Sequence, residues 1–204
     1  MYKHIIWDFD GTLFDTYPVT ANVLREALKE QKIEEPVEEI NKQLRVSISS
    51  ALRYYEEKYQ ISSEFISNYQ ERRIEAEIEL SRPFDGIQEI CKYIHSTNRK
   101  NYLFTHRGES SIVLLKKHGL VDYFADFITS KHGFERKPSP DAIDYLINKH
   151  NMIHSESIMI GDRELDLLSG KNAEISACYF KEGNDDYTYA DYTINDFQQL
   201  YTII

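Results

Sequence analysis

The sequence predicts an α/β protein built on a doubly wound parallel sheet, with an α-helical segment inserted after the first strand. Three observations predict it. Short apolar runs alternate with stretches of helical periodicity, the pattern that places helices on both faces of a parallel sheet. Three of those runs end in residues able to do chemistry, at Asp8, Thr105 and Asp162, and ligands of such sheets bind beyond the strand C-termini. Positions 15–81 carry helical spacing and no clear strand.

The run Ile5-Ile6-Trp7-Asp8-Phe9-Asp10-Gly11-Thr12 reads as an apolar strand closed by two carboxylates and a glycine turn. Strand side chains alternate, so Asp8 and Asp10 project to one side. Two carboxylates held together are costly unless something binds between them or one keeps a proton. A divalent cation and a proton-transfer role account for both. Gly11 permits the turn that releases the chain into the insertion, where Asp15 is read as the cap of the first helix. Val19, Val23, Leu24 and Leu28 recur at helical spacing, with Pro18 tolerated in the first turn. Ile48, Leu52, Tyr55 and Tyr59 continue the pattern, as do Phe65, Ile66, Tyr69, Ile74 and Ile78, and Ser81-Arg82-Pro83 closes it. The expected division is a core of 1–14 and 82–204 and a helical cap of 15–81.

Beyond the insertion, Asp85 is read as an N-cap for a helix burying Ile87, Ile90, Cys91 and Ile94. A strand ending at Thr105 follows, then a helix over about 110–118 stopped by Gly119. Phe127-Ile128-Thr129 is a short strand. Ser139-Pro140-Asp141 starts a helix, with the serine as N-cap and the proline at its first position. Further strands fall at 158–161, 175–180 and Tyr192–Ile194.

With 204 residues, 41% of them hydrophobic and 28% charged, the chain can bury one good core and a small subdomain. A net charge of −10 disfavours nucleic-acid polymers and anionic membranes as partners. A small anionic substrate stays possible, because a metal and one lysine invert the field locally. Cys91 and Cys178 fall in buried patterns and read as small hydrophobes rather than a disulfide or zinc ligands. No apolar run approaches a membrane span, and no signal-like segment opens the chain. A cytoplasmic protein, monomeric or a small homo-oligomer, is expected. Dinucleotide and P-loop glycine fingerprints are absent.

Phosphoryl chemistry on a carboxylate nucleophile needs a hydroxyl for phosphate oxygens, a cation and further acidic metal ligands. They occur in order: Tyr102-Leu103-Phe104-Thr105, then Arg136-Lys137-Pro138-Ser139-Pro140, then Gly161-Asp162-Arg163-Glu164-Leu165-Asp166. DFDGT at 8–12, the threonine at 105, KPSP at 137–140 and GDRELD at 161–166 resemble the motifs of the haloacid dehalogenase superfamily, whose core is Rossmann-like. The resemblance spans nearly the whole chain, although within the insertion it rests on helical character alone.

It implies Asp8 as the nucleophile and Asp10 as the acid and base. Asp162 would ligate Mg²⁺ beside Asp8 and the backbone carbonyl of Asp10, and Asp166 would bind through water or orient its neighbours. Lys137 would hold the nucleophile and a phosphoryl oxygen, and Thr105 would donate its hydroxyl to another. Asp8, Asp162 and Asp166 bring three negative charges, which Mg²⁺ and Lys137 balance. His106 and Arg107 stand where the family commonly has asparagine or another small polar residue, and could reach a substrate group; Arg45 in the cap could do the same. The same residues read alternatively as a structural loop and a solvated helix arginine.

The expected activity is Mg²⁺-dependent hydrolysis of a small phosphorylated metabolite. Family members that dehalogenate carbon lack the second aspartate, so Asp10 argues for phosphate. The alternatives are a phosphosugar mutase sharing every core residue, a phosphoryl-receiving signalling domain, and a catalytically idle interaction protein. The helical insertion argues against the signalling domain, and the intact motifs against the idle protein.

Overall fold

The computed structural model describes residues 1–180 and 187–204. Packing divides the chain into two compact units, Met1–Phe14 with Pro83–Ile204, and Asp15–Arg82. In chain order the strands are β1 (His4–Trp7), β2 (Phe14–Asp15), β3 (Arg82–Pro83), β4 (Lys100–Phe104), β5 (Phe124–Ile128), β6 (Ser157–Gly161), β7 (Ser176–Phe180) and β8 (Tyr192–Ile194). The α-helices are α1 (Tyr17–Glu30), α2 (Val37–Val46), α3 (Ile48–Tyr59), α4 (Ser63–Leu80), α5 (Ile87–Ser96), α6 (Ser110–Lys117), α7 (Asp141–His150) and α8 (Glu164–Asn172).

The first unit holds a six-stranded sheet in the order β5-β4-β1-β6-β7-β8, parallel at every pairing. This is the doubly wound α/β sheet that the alternation predicts. Strand order runs outward from β1 to β4 and β5, then crosses over to β6, β7 and β8, so its reversal falls at β1. Trp7 pairs with Leu103 on one side and Ile160 on the other. That register brings three strand ends level, and the residues just beyond them are Asp8, Thr105 and Asp162.

Side-chain alternation assigns each strand to two cores. Ile5, Trp7 and Leu103 join Ile87, Ile90, Ile94, Leu114 and Leu115 of α5 and α6 on one face. Ile6, Tyr102, Phe104 and Met159 join Ala142, Ile143 and Leu146 of α7 on the other. Trp7 is fully buried, and its indole N–H donates to Asn101 Oδ1 at 2.9 Å. The Asn101 amide donates in turn to the carbonyls of Cys91 and Tyr123, each at 3.0 Å. A buried polar pair is tolerable when satisfied in this way.

Several boundaries differ from the sequence expectation. Gly86, in the left-handed region at φ 85°, occupies the N-cap of α5, so Asp85 lies outside it. Asp15 belongs to β2, and Thr16 precedes α1 without a side-chain capping bond. Pro140 takes the N-cap of α7, one residue later than predicted, while Ser139 Oγ accepts the Asp141 N–H at 3.3 Å. The short strand predicted at 127–129 starts earlier, at Phe124. Asp126 interrupts its apolar pattern, and two side chains of α7 hold that carboxylate: Lys149 Nζ at 2.8 Å and His150 Nε2 at 2.7 Å.

The second unit is helical, with Leu24, Leu28, Ile40, Leu44, Leu52, Tyr55 and Tyr69 in its core. Ser47 and Ser62 cap α3 and α4, accepting the backbone N–H of Ser50 and Phe65. Glu77 is fully buried here, taking the Thr20 hydroxyl at 2.6 Å and Arg73 on both oxygens at 2.9 Å. Replacing it by alanine strands a buried hydroxyl and a mostly buried guanidinium. Glu77→Ala should therefore cost about 3 kcal/mol, read as a drop in melting temperature of roughly 6–12 °C. An unchanged melt would contradict this account of the network.

Candidate active site

The β1 strand delivers Asp8 to the switch point of the sheet, and the Asp8 N–H continues the ladder to the Ile160 carbonyl at 2.9 Å. Gly11, at φ 79°, then folds the chain back, with Leu13 and Phe14 both donating to the Phe9 carbonyl at 3.0 Å. An L-residue with a side chain seldom adopts that φ. The turn also brings in a residue that sequence reasoning passed over: Thr12, whose hydroxyl donates to Asp162 Oδ1 at 3.3 Å. The signal was present, since Thr12 is the last letter of the DFDGT motif.

Lys137 is the centre of the site. Its side chain is wholly buried, and its ammonium donates to Asp8 Oδ1 at 2.6 Å, Asp166 Oδ1 at 2.8 Å and the Phe104 carbonyl at 2.9 Å. Burial alone would lower the pKa of this amine. Asp166 and Asp8 outweigh burial and raise it, so the lysine is a fixed positive charge.

Asp166 stands in the first turn of α8, where its Oδ2 accepts the Arg163 N–H at 3.0 Å. It therefore caps a helix with one oxygen and holds Lys137 with the other. Burial pushes its carboxyl up, but Lys137 and Arg163 bring it below the ordinary value. Gly161 makes room for it: a Cβ at that position would overlap Asp166 Cβ and Cγ.

Asp8 is the charge in excess. Burial, then the neighbouring Asp166, raise its pKa to about 6, against the pull of Lys137. Its second oxygen, Oδ2, is buried with no hydrogen-bond donor among the described residues. Asp8, Asp162 and Asp166 each place a carboxylate oxygen within 4.8 Å of the others. An all-oxygen set with an unsatisfied buried anion fits a hard divalent cation such as Mg²⁺.

Thr105 follows β4, its N–H bonded to the Ile128 carbonyl at 2.9 Å. Its hydroxyl oxygen accepts the Arg107 N–H at 3.0 Å, which leaves the hydroxyl proton available to donate. His106 lies behind Lys137, with its Nε2 accepting the Lys137 N–H at 2.9 Å. Burial first, then Lys137, lower its pKa to about 3, so the ring stays neutral and that nitrogen serves the protein. The Arg107 guanidinium grips Asp10, with Nη2 at 2.5 Å from Oδ1 and Nε at 3.2 and 3.3 Å from the two oxygens. Asp10 therefore turns its carboxylate to Arg107, outside the group formed by Asp8, Asp162 and Asp166. Arg45 belongs to the helical unit, at the end of α2, with its guanidinium 5.6 Å from the centre of the Tyr17 ring.

The buried carboxylate–lysine centre lies at the switch point of the parallel sheet, where ligands of such folds bind. Comparison names the family: the profile of the haloacid dehalogenase-like hydrolases matches residues 5–180. The chain belongs to that family. It is 29% identical over 185 residues to the phosphoglycolate phosphatase of Vibrio parahaemolyticus, covering 84% of this chain and 80% of that one. The Vibrio vulnificus phosphoglycolate phosphatase is 33% identical over 95 residues, a match spanning 46% of this chain and 42% of that protein. Among solved structures, a hydrolase from Streptococcus pneumoniae TIGR4 superposes with a TM-score of 0.67 at 28% identity, covering 86% of this chain and 91% of that one. A Thermotoga maritima protein assigned as a β-phosphoglucomutase shares the fold, with a TM-score of 0.85 at 18% identity over 100% of this chain and 98% of that one. With phosphatases among its relatives, the chain is a hydrolase of the phosphatase branch. No helix among the described residues is long and apolar enough to cross a membrane.

Proposed function

We propose that this protein is a Mg²⁺-dependent phosphatase of small soluble phosphomonoesters, acting through a phosphate ester on Asp8. One observation carries the reading. A buried ammonium is shared between Asp8 and Asp166, while the second oxygen of Asp8 has no donor among the described residues. Such a carboxylate is held in place, deprived of solvent and short of positive charge.

In this mechanism the Asp8 carboxylate attacks phosphorus, forming the Asp8 O–P bond as the P–O bond to the leaving alcohol breaks. Asp10 gives that oxygen a proton. Asp10 then takes a proton from water, which attacks phosphorus and releases inorganic phosphate, regenerating Asp8. Lys137 neutralises Asp8 and one phosphoryl oxygen, and the Thr105 hydroxyl donates to another. Asp166 holds Lys137 in register. Asp8, Asp162, Asp166 and the backbone carbonyl of Asp10 would hold Mg²⁺, which when bound offsets the negative charge of the phosphoryl group.

Phosphoglycolate belongs on the substrate panel because of the Vibrio relatives, and pyrophosphate because of a Halalkalibacterium halodurans relative called pyrophosphatase PpaX, 27% identical over 148 residues. Phosphate release should be followed over those two, sugar phosphates and nucleoside monophosphates. EDTA should stop turnover and added Mg²⁺ should restore it. Turnover that continues in EDTA would remove the metal from the mechanism, and no release from any member would remove the activity.

A further inference from the structure

We infer that Arg107 is a positioning residue: it aims the Asp10 carboxylate at the leaving group, and does so in concert with the Thr105 hydroxyl. The inference rests on the phosphatase reading above and deepens it.

Arg107 is the point where two motif loops are tied together. Its backbone N–H fixes the Thr105 oxygen at 3.0 Å, and its guanidinium holds both oxygens of Asp10 across 97 residues of sequence. The residue is itself immobilised. Its carbonyl accepts the Ser130 N–H at 3.0 Å, its Nη1 approaches Ser110 Oγ at 3.4 Å, and the guanidinium lies 5.4 Å from the centre of the buried Phe9 ring. Its side chain is 5% exposed, against 28% for Asp10. An arginine recruited for a substrate anion would turn its fork toward solvent. This one turns its fork to a carboxylate of the protein, the more exposed partner of the two.

A two-point grip matters because Asp10 lies beyond the end of β1, where an isolated bridge to Phe14 replaces the ladder of the sheet. Arg–carboxylate pairs of this kind restrict orientation as well as position. A lysine would restrain position with a single point charge. Small errors of aim at a proton-transferring group cost rate steeply.

The test compares two substrates in one enzyme. p-Nitrophenolate leaves without a proton, whereas an alkoxide needs one from Asp10, and kcat/KM reports the steps through departure of the leaving group. In Arg107→Gln, kcat/KM for an alkyl phosphate should fall about a hundredfold, carried by kcat, with less than about fivefold loss for p-nitrophenyl phosphate. Arg107→Lys should recover about a tenth of the wild-type alkyl rate. In an Asp10→Asn background, adding Arg107→Gln should cost less than about threefold more, since a residue acting through another is silent once that other is gone. Equal losses on both substrates, a rise confined to KM, or full additivity with Asp10→Asn would overturn the inference. Wild-type enzyme inert on both substrates would instead refute the phosphatase reading, and this inference with it. Should Arg107→Gln fail to fold, Arg107→Lys carries the same comparison at smaller amplitude.

Discussion

Asp8→Asn should lower turnover of an aryl phosphate by about four orders of magnitude or more, and at the same time make the metal-free protein harder to melt at neutral pH. The first effect follows from removing the carboxylate proposed as the nucleophile. The second follows from charge. One lysine faces two buried carboxylates, and Asp8 and Lys137 are within 2.6 Å. A neutral amide at position 8 leaves Lys137 paired with Asp166, from which Arg163 Nε also lies 3.9 Å.

The pH dependence has a definite sign. Burial and Asp166 raise the Asp8 pKa from 3.8 to about 6, so the folded chain holds this proton more tightly than the unfolded chain does. The resulting stabilisation is complete below about pH 4 and is lost as pH rises through 6. Above that, ionised Asp8 burdens the metal-free fold by about 3 kcal/mol, at 1.36 kcal/mol per pKa unit. Paired thermal melts in EDTA should show the variant ahead by roughly 6–12 °C near pH 7.5 and level with wild type near pH 4. Adding Mg²⁺ should favour the wild type, because only it keeps the full ligand set. Coincident melts at neutral pH would mean that Asp8 is not the excess charge.

Lys137→Met should act in the opposite direction on stability. It removes the ammonium that Asp8 and Asp166 share and leaves two buried carboxylates without it. Breaking a buried pair in this way costs about 3–5 kcal/mol, so melting near pH 7.5 should fall by roughly 6–20 °C. Turnover should drop about a hundredfold or more, since the charge opposite the phosphoryl oxygen is gone. Mg²⁺ should return part of the lost stability to this variant by supplying positive charge to the same carboxylates. A variant that melts like wild type would show that the lysine is dispensable to the buried charge balance.

Much of the architecture was legible in one dimension. Ile5, Trp7 and Leu103 on one core, with Ile6, Tyr102 and Phe104 on the other, follow from alternation alone. Where local chemistry was ambiguous, the reading slipped. Asp126 broke an apolar run and concealed the first half of β5, because the Lys149 and His150 side chains that hold it come from α7. Asp85 looked like a cap, yet Gly86 took the position with a left-handed backbone that a capping preference does not reveal. At the site, the residue types were readable and their partners were not. Asp166 read as a residue binding the metal through water or orienting its neighbours, and it serves the helix with one oxygen and Lys137 with the other. His106 and Arg107 read either as substrate contacts or as a structural loop, and the fold commits one to the Lys137 backbone and the other to Asp10.

The sequence by itself determined which residues close the strands and that those strands alternate with helices, because periodicity and motif order are properties of neighbouring positions. Tertiary structure alone decided the pairings: Lys137 with Asp8 across 129 residues, and Arg107 with Asp10 across 97. Hydrogen bonding and burial act between groups that meet only after the sheet has formed. The charge state of a carboxylate is set by those meetings rather than by its place in the chain.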